Sequence, residues 1–164
     1  MPESEMLKMP VYLLEFQTRI KVPPQVVYDH LSDPHNFVGL QPLLTHVEAV
    51  QFGELNGVRS VSYTTVEAFR RMNIVLYRNR IRVQSFFTRP PYQINVVVHS
   101  FPNITLNVEY TFAPLGDGVH VKEEMQIQAH ALLAKFVISE ATKAQTALLE
   151  NLKHRLEGAP TKIS

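Results

Sequence analysis

Apolar and polar side chains alternate along the chain from Val11 to Val22. The polar side of this alternation carries Glu15, Gln17, Arg19 and Lys21, and the other side carries Leu14, Phe16, Thr18, Ile20 and Val22. A period of two residues is typical of a β-strand with one buried face. The pattern therefore predicts a first strand here, with Phe16 and Thr18 facing the protein interior.

Prolines divide the next segment into two short helices. Neither Pro23 nor Pro24 can donate a backbone hydrogen bond, so the strand ends there, and Pro24 suits the first turn of a helix. Asp33 precedes Pro34 and is therefore disfavoured in a helical conformation. Its side chain can instead cap a second helix that begins at Pro34, close to Phe37.

The same segment holds four residues of types that bind metals, namely Asp29, His30, Asp33 and His35. The break before Pro34 separates them, and their spacing matches no metal-binding signature. The pattern favours capping and surface roles, with a metal site as the weaker alternative. We predict no bound metal and no cofactor.

Six more strands are predicted between Leu43 and Ala129. They are expected near residues 45–53, 58–69, 74–89, 92–101, 104–114 and 118–129, separated by short Gly-, Pro- and Asn-containing turns. Such short connections predict antiparallel hairpins. The following segment, "AHALLAKFVISEATKAQTALLENLKHRLEG", repeats apolar residues every three or four positions and predicts one long helix that ends at Gly158.

The inward positions of these strands mix polar residues with apolar ones, which predicts an interior that side chains do not fill. One helix laid across a twisted, curled sheet leaves space between them. Strand 58–69 is ambiguous, because Val61 and Tyr63 oppose Val58 and Val66. The tyrosines either offer hydrogen bonds to a ligand or pack as ordinary core. Candidate ligand-binding residues are Phe16, Thr18, Phe37, Tyr77, Asn79, Ile81, Tyr92, Ile94, Tyr110, Glu123, Met125, Leu133 and Val137.

Glu123 is the candidate catalytic residue. It shares its phase with Val121 and Met125, so its carboxyl group should point inward, where desolvation raises the pKa toward values that suit a general acid or base. The alternative is a structural carboxyl group that is paired with Arg or Tyr, or that a local bulge exposes to solvent. His99 and His120 fall on the outward phase and are predicted to be exposed.

Arg78, Arg80 and Arg82 alternate on the outward side of one strand. Such a row either binds phosphates or forms a solvated sheet face with cross-strand Glu or Gln partners, and the second is the more common case. Aromatic residues do not interleave with it, as they do in single-stranded nucleic-acid sites. We predict no nucleic-acid partner.

Composition narrows the class of protein further. The chain has 164 residues, of which 45% are hydrophobic and 19% charged, with a net charge of +1, which suits one globular domain. The absence of cysteine excludes disulfides and thiolate sites. The sequence shows no signal peptide and no apolar stretch long enough for stable membrane insertion, so a cytoplasmic protein is expected.

The order of elements resembles the START-related helix-grip superfamily, in particular its polyketide cyclase/dehydrase-like branch. The resemblance is carried by "IKVPPQVVYDHLSDPHNF" and "YTFAPLGDGVHVKEEMQI". It implies an α+β helix-grip fold, with a curved seven-stranded antiparallel sheet wrapped around the long C-terminal helix and two short helices after the first strand. Residues 11–157 would form this domain, with tails at 1–10 and 158–164.

The resemblance also implies a deep apolar cavity between the sheet and the last helix. We favour a binding or transport protein for a small hydrophobic molecule, such as a lipid or polyketide. One alternative is a polyketide aromatase/cyclase or dehydratase that uses Glu123, and another is a protein-interaction module that uses the arginine row. A monomer or a homodimer is expected.

Overall fold

The computed structural model describes residues 9–158, apart from the side chains of residues 69–71, 76 and 77. The tails predicted at 1–10 and 158–164 lie almost wholly outside the described residues. The elements are β1 (Val11–Ile20), α1 (Pro24–Ser32), a 3₁₀ helix (Pro34–Phe37), β2 (Leu44–Leu55), β3 (Val58–Arg71), β4 (Ile74–Arg89), β5 (Gln93–Ser100), β6 (Ile104–Leu115), β7 (Gly118–Gln128) and α2 (Ala131–Glu157).

The seven strands form one antiparallel sheet in the order β1-β7-β6-β5-β4-β3-β2. The two short helices carry the chain from β1 to the opposite edge of the sheet, and hairpins return it to β7 beside β1. The curved sheet packs around α2, so the predicted helix-grip fold is confirmed. Leu148 and Leu152 of α2 are fully buried in the resulting core.

Local contacts explain the residues around the two short helices. The Asp33 carboxylate accepts a hydrogen bond from the His35 backbone N–H at 3.0 Å and so caps the 3₁₀ helix, as predicted. Arg155 of α2 donates to the carbonyl oxygens of Asn36 and Val38, and one of its nitrogens lies 3.1 Å from His30 Nε2. These residues therefore join the end of α2 to the helical segment. Within residues 9–158, no three His, Asp or Glu side chains converge to hold a metal ion.

An aromatic cluster fixes α1 against the sheet. The ring of Tyr28 meets those of Phe87 and Phe112 edge to face, with centroids 6.1 and 6.3 Å apart. Phe112 also stacks on Tyr110, with ring centroids 6.5 Å apart and an interplanar angle of 10°. Edge-to-face and offset stacked geometries are the favourable ones for aromatic pairs. The cluster packs one end of the interior solidly.

The structure corrects the sequence prediction for Tyr92 and resolves the orientation of strand 58–69, which the sequence left open. Strand β5 begins at Gln93, so Tyr92 lies in the preceding turn, where its N–H donates to the Arg89 carbonyl and its ring is 40% exposed. Tyr92 therefore does not face the interior. The ambiguous strand β3 turns Tyr63 and Thr65 inward, and Val66 and Ala68 are buried as well. Both faces of β3 carry buried apolar residues, which is why alternation alone did not orient it.

Gly118 is a position where the fold requires glycine. A Cβ added there would collide with the backbone carbonyl oxygen of Ile20 and come within 3.2 Å of Lys21 Cα, so β1 and β7 would have to separate. We expect Gly118→Ala to lower the free energy of unfolding by about 2 kcal/mol in urea titrations. Gly53→Ala is the matched control, since its Cβ would make an ordinary 3.7 Å contact with Ser60 Oγ. Equal effects of the two substitutions would contradict this account.

Candidate functional site

A cavity of about 390 Å³ lies between the inner face of the sheet and α2. Strands β3 to β7 form one wall, and α2 forms the other from Leu133 to Gln145. The volume falls within the range of small-molecule sites. Most of the lining is aliphatic, and its aliphatic members include Ile81, Val83, Val96, Val98, Ile104, Leu106, Val108, Met125, Leu133 and Val137.

The structure brings just over half of the predicted ligand-binding residues to this cavity. Those that line it are Phe37, Asn79, Ile81, Tyr110, Met125, Leu133 and Val137. The side chain of Tyr77 is outside the described residues. Phe16, Thr18, Tyr92, Ile94 and Glu123 do not belong to the lining.

The residues outside the lining have identifiable positions. Phe16 and Thr18 lie on the edge strand β1, opposite Glu123 and Val121 of β7, and are half-buried. Ile94, opposite Tyr110 of β6, is fully buried in the packed core. Except for Tyr92, these residues face inward as predicted. They do not reach the cavity because neighbouring side chains fill the interior near α1 and β1.

Glu123 is fully buried, as its phase predicted, and lies behind the cavity wall. With the Gln145 amide nitrogen turned toward it, that nitrogen donates to the two Glu123 carboxyl oxygens at 3.0 and 3.3 Å. Burial raises the pKa of Glu123 to about 8, and a hydrogen bond from the Tyr110 hydroxyl partly opposes that rise. The pKa of Tyr110 is in turn raised, chiefly by burial and then by the Glu123 charge. Glu123 and Tyr110 thus form a buried pair in which the carboxyl group keeps its proton near neutral pH.

A chain of amides links Glu123 to the cavity. The side-chain carbonyl oxygen of Gln145 accepts a hydrogen bond from Gln41 Nε2 at 3.1 Å, and both glutamines line the cavity. Tyr63 also lines the cavity, and its side chain forms a hydrogen bond with Ser85. Burial raises the pKa of Tyr63 to about 12. This end of the cavity is therefore its polar end, and Glu123 contacts it through Gln145 and Tyr110, which both line the cavity.

A second polar group lies along the cavity wall farther toward the start of α2. Asn79 Nδ2 donates to Ser100 Oγ at 3.3 Å, and Glu67 is the partner of Asn79 in the strand register. Burial raises the pKa of Glu67, and the neighbouring Glu140 carboxylate raises it further. All four side chains line the cavity.

Sequence reasoning missed Gln41, Gln145, Tyr63 and Glu67 as site residues. Gln145 follows Ala141 by four residues and precedes Leu148 by three, so its place on the apolar face of α2 was readable from the spacing. Glu67 shares its phase with Tyr63 and Thr65, but the orientation of β3 was ambiguous. Gln41 lies in a connection between elements, where periodicity gives no signal.

The outer face of the sheet carries the predicted arginine row. Arg80 makes an ion pair with Glu48, with nitrogen and oxygen 3.4 Å apart, and its side chain is 71% exposed. Arg78, Arg82 and His99 are exposed too, whereas His120 is partly buried, with its ring 2.8 Å from Gln17 Oε1. Exposed pairs of this kind contribute little to stability. The row is a solvated face with an acidic partner at one position.

Comparisons with known proteins identify one matching family model. The family model described as polyketide cyclase/dehydrase and lipid transport matches residues 14–157. No curated protein sequence matches at a significant level. Within residues 9–158, no helix has the length and apolar character needed to span a bilayer.

Solved structures share the fold at low sequence identity. TTHA0849 from Thermus thermophilus has a TM-score of 0.69 and 17% identity, covering 92% of this chain and 100% of that one. A START superfamily protein from Mycobacterium smegmatis has a TM-score of 0.70 and 11% identity, covering 88% and 97%. The ZhuI aromatase/cyclase from Streptomyces sp. R1128 has a TM-score of 0.63 and 14% identity, covering 92% and 99%. These likenesses establish the fold.

Proposed function

Since the chain belongs to the polyketide cyclase/dehydrase and lipid transport family, we propose that it binds a small, largely apolar molecule between the sheet and α2. The observation that carries this proposal is the cavity of about 390 Å³. Apolar cavities bind apolar guests because the guest leaves water and gains contacts that the walls otherwise lack. The proposed partner is thus a small hydrophobic molecule such as a lipid or polyketide.

Exposed side chains at the rim of the cavity indicate where it opens to solvent. Phe101, in the turn between β5 and β6, and Phe136 of α2 both line the cavity while remaining 82% and 63% exposed. Side chains that touch both the cavity and water mark its mouth. We propose that the ligand enters between these two rings and then contacts Phe37, Asn79, Ile81, Tyr110, Met125, Leu133 and Val137.

The neutral fluorophore N-phenyl-1-naphthylamine tests the proposal directly. We expect saturable binding at one site per chain, with enhanced fluorescence and a Kd on the order of 1–10 μM. Native mass spectrometry of the freshly purified protein should also show a bound apolar molecule or the one-to-one probe complex. A protein that neither enhances the fluorescence nor retains any small molecule would contradict ligand binding.

A second candidate function is catalysis of a cyclisation or dehydration on a polyketide-like substrate. The observation that favours it is Glu123, a fully buried carboxyl group beside Tyr110 whose burial raises its pKa to about 8. A group with a pKa near neutrality is suited to proton transfer. Because Gln145 and Tyr110 separate Glu123 from the cavity, a proton would have to pass through the Tyr110 hydroxyl or past a displaced Gln145. Ligand binding therefore remains the first proposal.

A further inference from the structure

The charged side chains that line the cavity are acidic. Among the side chains that the structure describes, Glu67 and Glu140 are the charged members of the lining, and it includes no lysine, arginine or histidine. The Glu123 carboxyl group lies immediately behind Gln145 at the polar end. A ligand therefore meets carboxyl groups at the polar end and along the wall, whereas no described lysine, arginine or histidine belongs to the lining.

Three basic side chains of the sheet and α2 have partners outside the cavity. Lys143 pairs with Glu140 at 3.6 Å, and its side chain is 73% exposed, so the lysine approaches this carboxylate from the solvent side. Arg80 pairs with Glu48 on the outer face of the sheet. Arg155 is held by the Asn36 and Val38 carbonyl oxygens near the end of α2. None of these three residues belongs to the lining.

We propose that the cavity selects an uncharged apolar ligand and rejects a carboxylate anion of the same size and shape. This proposal rests on the proposed function, since it concerns the ligand of the same cavity. Moving an ionised carboxylate out of water is costly unless a cation or several donors receive it. Here an acid bound head first would meet the side-chain amides of Gln41 and Gln145 and no described cation, and an acid bound tail first would leave its carboxylate near Glu67 and Glu140.

Gln41 indicates which polar group the uncharged ligand carries. Its Nε2 donates to Gln145, while its side-chain carbonyl oxygen has no protein partner among the described hydrogen bonds. A hydroxyl group can donate to that oxygen and can also accept from the second N–H of the same amide. The ligand class that fits is an apolar alcohol or phenol with its hydroxyl at the polar end.

Competition against N-phenyl-1-naphthylamine tests the selectivity with three matched naphthalenes. At about pH 7.5, 2-naphthol and methyl 2-naphthoate are neutral, whereas 2-naphthoic acid is ionised. We expect the acid to displace the probe about tenfold less effectively, or worse, than either neutral compound. The methyl ester has nearly the shape of the acid, so the comparison isolates the charge.

Variants that remove the acidic charges then test whether Glu67 and Glu140 cause the weaker binding of the acid. The double variant Glu67→Gln/Glu140→Gln should reduce the penalty for 2-naphthoate at least about threefold, because two of the facing charges are gone. Glu124→Gln, on the exposed face of β7, is the control and should leave the penalty unchanged.

Each result has one meaning. If the probe binds and the acid displaces it as well as its ester does, charge selectivity is wrong while ligand binding stands. If the probe and all three compounds fail to bind, the proposed function itself is wrong. Should the double variant not fold, the comparison of the three compounds on the unaltered protein still decides the question.

Discussion

Replacing Glu123 with glutamine is expected to stabilise the protein at about pH 9 and to change its stability little at about pH 4. The folded-state pKa of Glu123 is raised to about 8 from an ordinary value of 4.5. Between those two values the unfolded chain releases the proton while the folded protein keeps it. The folded state binds more protons, so its stability falls as pH rises across this window and the loss is complete above the folded pKa.

The size of the effect follows from the width of the window. One pKa unit corresponds to about 1.4 kcal/mol, so the carboxyl group costs on the order of 3–5 kcal/mol of folding free energy above about pH 8. Glutamine keeps a carbonyl oxygen that can accept from the Gln145 amide but cannot ionise. The variant should therefore exceed the unaltered protein by roughly that amount at about pH 9, as measured by urea unfolding across the pH range.

Glu124→Gln provides a matched control one residue away. Glu124 is exposed and pairs with Lys122 at 2.8 Å on the outer face of β7. Its replacement should change the free energy of unfolding by less than about 0.5 kcal/mol at either pH. Parallel pH profiles for the unaltered protein and Glu123→Gln would show that Glu123 does not carry the raised pKa.

The same variant tests the role of Glu123 in the catalytic alternative. If Glu123 supplies the proton transfer, Glu123→Gln should lower any cyclisation rate about a hundredfold while probe binding persists. If the protein is a binding protein, the variant should bind N-phenyl-1-naphthylamine as the unaltered chain does.

The sequence predicted the strands well because all of them except β3 have one buried and one more exposed face. Alternation of apolar and polar residues identifies such strands directly. It also predicted that Glu123 faces inward, because Val121 and Met125 lie on the same side of the strand. Proline and aspartate chemistry predicted the two short helices, because backbone geometry at Pro24 and Asp33 depends on local residues alone. These features need no knowledge of distant contacts.

The candidate site was less predictable because it depends on which inward positions are left unpacked. Phe16 and Ile94 point inward like Ile81 and Tyr110, but only the last two reach the cavity. That difference depends on where α1 and α2 pack on the sheet, and the sequence of a single strand does not indicate those positions. Gln41 shows the same limit, since its approach to Gln145 joins a connecting segment to α2 across more than a hundred residues.

Filling the cavity from α2 should abolish ligand binding and leave the fold intact. Ala141 lies one turn before Gln145, and its methyl group lines the cavity wall. A phenylalanine ring at this position would occupy the space proposed for the ligand. We expect Ala141→Phe to weaken binding of N-phenyl-1-naphthylamine by about a hundredfold or more, with a change in unfolding free energy of less than about 1 kcal/mol, because the added ring enters an existing void.

Thr146→Phe is the control for this substitution, since it adds the same ring to an exposed position of the same helix. That variant should bind the probe with an unchanged Kd, which would show that the loss in Ala141→Phe comes from the cavity and not from an altered helix. Fluorescence titration measures both affinities, and thermal unfolding confirms that both variants are folded. Undiminished one-to-one binding by folded Ala141→Phe would place the probe elsewhere on the molecule and remove the main support for a ligand between the sheet and α2.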